Sequence, residues 1–441
     1  MSSQPLRVAL VGGGISGLTF AIALSRAGAN ADLDIYESTS AFSEVGAGMG
    51  FYPRMWDAMN FLGIDEVLKA KGSSGIKFSY RKGDDAQCQA FGESKVPLES
   101  YHRAEFLGIL ADQLPSNYRP HFGKRLVSYT DSASGLVTLH FKDGTIATCD
   151  VLIAADGIKS AARRTMYEKL AESESDEEKA EKLRGFVKAK WTGQYVYRGL
   201  VPREKVEEVC PDHPALSGPV YFMGKDKYFI NYPVSQGKMI NCGALVSYPE
   251  KNNTLHDEPW VSPVSQEQLK SEYATWSKYV RVMTELLPAP SRWVINSVVD
   301  LPTYVSGRVA LIGDAAHAMT PHLASGASQG VEDSLLLATL LAQPKAAKDT
   351  IPALLRAFDE VRRPMSQNVL KWSYETGEMY YLQSERFKDV TVEESNSGSV
   401  SDETLRGLNE DLGGMLAWTW ETSAKADRER AVELFLSKIQ Q

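Results

Sequence analysis

Residues 6–37 read LRVALVGGGISGLTFAIALSRAGANADLDIYE, and this stretch decides the fold. Val8–Val11 is an unbroken apolar run, the pattern of a parallel strand buried on both faces. Three glycines follow. Ile15, Leu18, Ile22 and Leu24 then give a helical apolar face as far as Gly28, a fitting C-terminal stop. Leu33–Tyr36 is the next strand and ends on Glu37. Strand, turn, helix, strand is a βαβ unit, so a parallel α/β sheet starts here. Gly12, Gly14 and Gly17 in the turn spell G-x-G-x-x-G. The first permits a tight turn, the second lets backbone approach a pyrophosphate, and the third lets helix pack on strand. The helix opening at Ile15 and Ser16 offers free N–H groups and a positive dipole end to phosphates. Glu37 lies 20 residues beyond Gly17, where an acid accepts hydrogen bonds from a ribose diol. The unit predicts a dinucleotide site, with FAD and NAD(P) both open on this motif.

Working outward, residues 46–53 (GAGMGFYP) form a glycine-rich loop before a helix beginning at Pro53 or Arg54. Residues 103–114 are helical by spacing, and Lys142-Asp143-Gly144 marks a hairpin between Leu136–Phe141 and Thr145–Thr148. Val151–Ala155 is another buried strand. The charged run 172–182 reads as a solvated face. From 186 to 300 the texture turns to short β-rich runs (Gln194–Val201, Tyr228–Pro233, Met239–Ser247), which predicts an antiparallel sheet. Residues 308–312 (RVALI) return to a buried strand, followed by a glycine-rich turn and the helix Leu335–Leu341. Polar Thr391–Thr404 reads as an exposed loop before a helical end. The α/β material thus brackets a β-rich insert, so the domains are interleaved. The expected segments are 1–75, 101–185 and 296–380 for the nucleotide domain, 76–100 and 186–295 for the sheet domain, and 381–441 for C-terminal helices.

The 441 residues carry a net charge of −8, which gives no electrostatic reason to expect nucleic acid or an anionic membrane surface. Cys88, Cys149, Cys210 and Cys242 are scattered, with no C-x-x-C and no Cys/His cluster of metal spacing. Reduced thiols and a cytoplasmic location are expected. The apolar stretch Leu6–Leu24 is broken by glycines and belongs to the fold rather than to a signal or anchor.

Three further motifs narrow the cofactor. Residues 307–333 read GRVALIGDAAHAMTPHLASGASQGVED, residues 150–164 read DVLIAADGIKSAARR, and Arg103 opens a helix in HRAEF. Gly313-Asp314-Ala315-Ala316-His317 with Pro321 resembles the second flavin motif of class A flavoprotein monooxygenases, the group typified by para-hydroxybenzoate hydroxylase. Asp156, Gly157, Ser160 and Arg163 resemble that family's Asp-Gly motif, which serves FAD and transient NAD(P)H. The resemblance implies a Rossmann-type FAD domain interleaved with a mostly antiparallel substrate sheet, plus C-terminal helices. It implies an FAD set of Gly12, Gly14, Ile15, Ser16, Gly17, Glu37, Gly48, Arg103, Arg125, Asp156, Gly157, Arg163, Gly313, Asp314, Pro321, Gly326 and Ala327. A second G-x-G-x-x-G is absent, in keeping with NADH or NADPH visiting as a co-substrate without its own Rossmann domain.

The implied reaction is NAD(P)H reduction of FAD, addition of O2 to give a flavin C4a-hydroperoxide, and oxygen transfer to a phenolic ring. The run from Pro321-His322 to Glu332-Asp333, with Tyr197-Arg198-Gly199 and Tyr228…Tyr232-Pro233, is similar to salicylate hydroxylases, which release CO2 and form a catechol. Ala324-Ser325 and Arg54 depart from that pattern near the expected flavin and pocket. Arg198, Tyr228, Tyr232, His322 and Pro321 are the expected catalytic groups, an Arg for carboxylate or phenolate and Tyr and His for the phenol proton. His317, between alanines, reads as a structural histidine. Other phenols remain open: para-hydroxybenzoate 1-hydroxylation and dearomatisation of resorcinol-type polyketides. An NAD(P)-dependent dehydrogenase and a non-catalytic flavin-binding regulator are the competing classes. A monomer or homodimer is expected.

Overall fold

The computed structural model describes residues 4–43, 48–71, 73–132 and 135–440. Residues 46 and 47 of the glycine-rich loop lie outside them. The first sheet has six strands in the order Val305–Ser306, Val309–Leu311, Val151–Ala154, Leu6–Val11, Ala31–Tyr36, Arg119–His121. Every pairing is parallel except that of the edge strand Val305–Ser306. The central strand Leu6–Val11 is flanked by Val8↔Leu33 and Val8↔Val151. Parallel strands all run out at one edge, so Gly12, Glu37, Asp156 and Gly313, distant in sequence, end up side by side. Helix Ile15–Arg26 packs on helix Gly326–Leu341 over a core of Leu18, Ile22, Val331 and Leu335.

The second sheet has eight strands, in the order Val261–Pro263, Ser291–Ser297, Lys190–Pro202, Met239–Thr254, Lys227–Val234, Val220–Gly224, Ser79–Lys82, Ala90–Glu93. One pair, Val220–Gly224 with Ser79–Lys82, is parallel and the rest are antiparallel. Paired residues put their side chains on the same face of a sheet. The registers Val196↔Leu245↔Tyr228↔Met223 and Arg198↔Gly243↔Ile230↔Tyr221↔Tyr80 therefore trace one face. The opposite face carries Tyr197, Phe222, Phe229 and Ala244, and the helices Gln266–Glu272 and Lys278–Leu286 bury it. The first face is covered by Tyr380, Tyr381 and Leu382, at the end of the 30-residue helix Ile351–Tyr380. The sheet alone thus puts Arg198, Tyr228 and Tyr232 on one side.

The structure corrects several sequence readings. Thr391–Thr404 is not an exposed loop. Thr391 and Glu394 form a capping box for helix Val392–Asn396, and Ser401 caps helix Asp402–Gly414. The polar residues are helix-start signals rather than loop filler. Buried Ser395 accepts from Lys82 Nζ through its Oγ (2.8 Å) and carbonyl (2.9 Å), and donates to Asp84 (2.5 Å). The helix expected at Leu335 starts at Gly326, because residues 326–334 are too polar for apolar periodicity to reveal it. The β-rich stretch contains helix Arg203–Val209 as well as the two that bury the sheet. The C-terminal region divides: Asp402–Gly414 lies against the second sheet, whereas Ala431 and Phe435 of helix Ala424–Lys438 join the core of the first. Among the described residues, no helix is long and apolar enough to cross a membrane, and no group of three His, Cys, Asp or Glu is placed to hold a metal.

Candidate functional site

At the strand ends, Gly12, Gly14, Glu37, Arg125, Asp156, Gly157 and Lys159 line one cleft of about 200 Å³. Gly12 has φ +103°, and a Cβ there would stand 2.2 Å from the Ala155 carbonyl oxygen. A Cβ on Gly17 would stand 2.0 Å from the Gly12 carbonyl oxygen, whereas at Gly14 it would meet nothing within 4 Å. The outer glycines are steric necessities and the middle one is open to a ligand, as the phosphate reading requires. Glu37 is held by the N–H groups of Gly13 (2.7 Å) and Thr39 (2.8 Å). Burial pushes the Glu37 carboxyl up, but these hydrogen bonds outweigh it and the pKa falls below its ordinary value.

Asp156 borders the cleft, yet its carboxylate is engaged by the protein. It accepts from Ser160 Oγ (2.5 Å) and from the N–H groups of Ala161 (2.8 Å) and Ala162 (3.1 Å), capping helix Ala161–Glu172. Burial raises its pKa. Arg163 is buried, and its guanidinium donates to the carbonyls of Ala315 (2.8 Å) and Ile158 (2.6 Å). It ties the Asp-Gly turn to the Gly-Asp turn, where the sequence had suggested a direct cofactor contact. Gly48 pairs with His102, next to Arg103 at the start of helix Arg103–Asp112.

Asp314 is exposed while Gly313, Ala315, Ala316 and His317 around it are buried. Ser16 packs so tightly here that a Cβ on Gly313 or Gly330 would lie 2.4 or 2.1 Å from its Oγ. Helix Gly326–Leu341 starts beside this turn, with Gly326 and Ala327 in its first turn and Pro321 exposed just before it. Ser328 Oγ, Gln329 Nε2 and His317 Nδ1 are buried without a hydrogen-bond partner. Exposed Asp314, an open Gly14 and partnerless polar atoms near a helix start fit a dinucleotide with a polar ring system. His317 gives its Nε2 to Asp333 at 2.6 Å.

On the sheet face, Arg198 is half-buried with its Cζ 5.2 Å from the Trp293 ring centroid. No carboxylate of the described residues pairs with it. Burial pushes the Arg198 guanidinium down; nearby Tyr232 opposes this and Arg103 adds to it. Tyr228 and His322 are joined, Tyr228 Oη to His322 Nδ1 at 2.9 Å, and His322 Nε2 meets Gln194 Oε1 at 2.8 Å. Burial lowers the His322 pKa to about 3, so the ring is neutral at pH 7. With a carbonyl oxygen at Nε2, the proton is assigned to that nitrogen and Nδ1 accepts from the Tyr228 hydroxyl. Both nitrogens are engaged, so His322 holds Tyr228 rather than standing as a free base. Arg54 is bound to Glu332 (2.7 and 3.0 Å) and Asp427 (2.8 Å).

The sequence reading missed the tyrosines that complete this face. Tyr221 lies 4.6 Å from Tyr380 and Tyr228 lies 5.1 Å from Tyr381, centroid to centroid. Their signal was the Tyr380-Tyr381 pair ending an amphipathic helix, but only the register shows which strands it meets.

The FAD binding domain family matches residues 5–373, spanning both cleft motifs and the sheet. A salicylate hydroxylase of Pseudomonas putida is 35% identical over 97% of this chain and 94% of its own. The chain is a class A FAD-dependent aromatic monooxygenase. The FAD-dependent monooxygenase str9 of Strobilurus tenacellus is 30% identical over 99% of each chain. The solved structure of a salicylate hydroxylase substrate complex superposes with a TM-score of 0.82 at 33% identity, covering 98% of this chain and 99% of that one. For this monooxygenase the dehydrogenase reading of the first motif is set aside, and FAD is its cofactor.

Proposed function

We propose that this monooxygenase hydroxylates a small phenol bearing a carboxylate, in the salicylate manner, with loss of CO2 to give a catechol. The observation that carries this reading is Arg198: a half-buried guanidinium without a carboxylate partner among the described residues, on the same sheet face as Tyr228 and Tyr232. A guanidinium in that setting binds a carboxylate by charge-assisted, two-pronged hydrogen bonds. The salicylate hydroxylase relatives at 35% identity support the same substrate class.

Bound FAD supplies two-electron chemistry with NADH or NADPH and the activation of O2. Glu37, with the N–H groups of the Gly12–Gly17 turn, holds its ribose and pyrophosphate end. Asp314 would hold the chain between phosphate and ring, and the helix N-terminus at Gly326 and Ala327 would favour negative charge on a ring bound beside it. Arg103, Gly157 and the Arg125 backbone border the same path. The sheet-face tyrosines exclude water and pack the substrate ring. Neutral His322, with Gln194 behind it, keeps the Tyr228 hydroxyl oriented, and Tyr232 stands nearer Arg198. Pro321 shapes the wall between cofactor and substrate. Four buried thiols accord with a reducing, cytoplasmic setting.

The test is turnover of salicylate, para-hydroxybenzoate, 6-hydroxynicotinate and resorcinol aldehydes with NADH and with NADPH, with product and CO2 analysis. Catechol and stoichiometric CO2 from salicylate are expected. Arg198→Met is expected to raise the KM for the acid about 100-fold, the value of a lost charge-assisted contact. Equal KM values in Arg198→Met and the parent, or hydroxylation of the acid with its carboxyl retained, overturn the reading.

A further inference from the structure

A continuous ladder of buried charges leads from the flavin turn to the C-terminal helix. The Gly313 N–H donates to Asp333 Oδ2 (3.0 Å), and Asp333 Oδ1 accepts from Arg362 Nε (2.9 Å). Arg362 reaches Glu332 Oε2 (3.0 Å). Glu332 accepts from Arg54 Nε (2.7 Å), and Arg54 reaches Asp427 Oδ2 (2.8 Å). The side chains of Asp333, Arg362, Glu332 and Arg54 are at most 4% exposed, while Asp427 at the outer end is 23% exposed. The rungs come from four separate parts of the chain: the segment after strand Gly48–Phe51, helix Gly326–Leu341, helix Ile351–Tyr380 and helix Ala424–Lys438.

Such a ladder is poor evidence of stability, since desolvating five charges costs about what their pairing returns. Its value is geometric. Gly313 has φ +60°, and Asp314 directly after it is exposed between buried neighbours. Asp333 Oδ2 holds the Gly313 N–H and also meets His317 Nε2, and its other oxygen is held, among the described residues, by Arg362 and what lies behind it. Arg54 joins Glu332 of the flavin domain to Asp427 of the C-terminal helix through a single guanidinium.

We infer that Arg54 is a positioning residue for FAD, and that the C-terminal helix sets the Gly313–Asp314 turn through Asp427, Arg54, Glu332, Arg362 and Asp333. This rests on the reading that Asp314 holds FAD.

The test is FAD release from the holoenzyme, followed by flavin fluorescence on dilution, in D427N, R54K, the double variant R54K/D427N and D314A. D427N at the half-open end and R54K, which keeps the charge but loses the planar fork that grips both Glu332 oxygens while reaching Asp427, are expected each to raise the Kd for FAD about tenfold. The double variant is expected to raise it no more than the stronger single one, because residues in one network do not add. Unrelated structural defects would multiply instead. Parent-like FAD affinity in D427N and R54K, or effects that multiply in the double variant, overturns the inference. D314A separates the two claims: retention of FAD in D314A defeats the flavin-turn reading itself, whereas loss in D314A alone defeats only the ladder.

Discussion

The two turns that meet over the parallel sheet are held in place by different physics. The Gly12–Gly17 turn is fixed by backbone contact, with 2.2 and 2.0 Å as the separations that any added Cβ would face. The Gly313 turn is fixed by charge, through Asp333 and the side chains behind it. At Gly12 and Gly17 the first tolerates nothing larger than hydrogen. The second is assembled from remote segments and tolerates nothing that removes a charge.

The largest expected effect follows from that contrast. Asp333→Asn leaves Arg362 short of a partner in a buried site, and should destabilise the fold by about 3–5 kcal/mol, read by denaturant unfolding. A cost under about 1 kcal/mol would mean that charge does not hold the second turn. Gly17→Ala should cost about 1–3 kcal/mol by forcing helix from strand, with FAD content falling in parallel. Next comes pH. Burial raises the Asp333 pKa but the charges of His317 and Arg362 outweigh it, giving about 2. A folded pKa below the unfolded one means stability that is complete above about pH 4 and is lost as pH falls towards 2. Urea midpoints between pH 5 and 2 should drop in the parent and drop less, from a lower starting point, in Asp333→Asn. Parallel curves would break the comparison. Asp314→Ala and Glu37→Ala should each lower FAD occupancy, by absorbance of the purified protein, and full retention in both would remove the two turns as flavin sites. The smallest effect is at Ala324, whose φ of +51° suits glycine. Ala324→Gly should stabilise by about 0.5–1 kcal/mol, since relief of strain exceeds the added chain entropy only slightly.

The same contrast explains what could be read from sequence. The βαβ unit was legible because its periodicity, its glycines and Glu37 all lie within 32 residues. The Gly-Asp run was legible as a resemblance, but not what holds it: Arg54 and Asp427 are 373 residues apart and neither belongs to a local pattern. Arg198, Tyr228 and Tyr232 were expected as pocket groups through the resemblance, and only the strand register shows that they share one face. Tyr80, Tyr221 and Tyr380 escaped because strand order, which sequence does not carry, decides who faces whom. Thr391–Thr404 was misread because capping residues and loop residues are the same chemical types.

Helix Ile351–Tyr380 joins the two sheets mechanically. Thirty residues make a rod of about 45 Å. One end lies in the core of the parallel sheet and the other plugs the aromatic face of the antiparallel one. A beam shared by both halves stops them swinging apart like the leaves of a hinge. Pro364 lacks an N–H and sits two residues after Arg362, so the beam's softest joint adjoins its most heavily charged point.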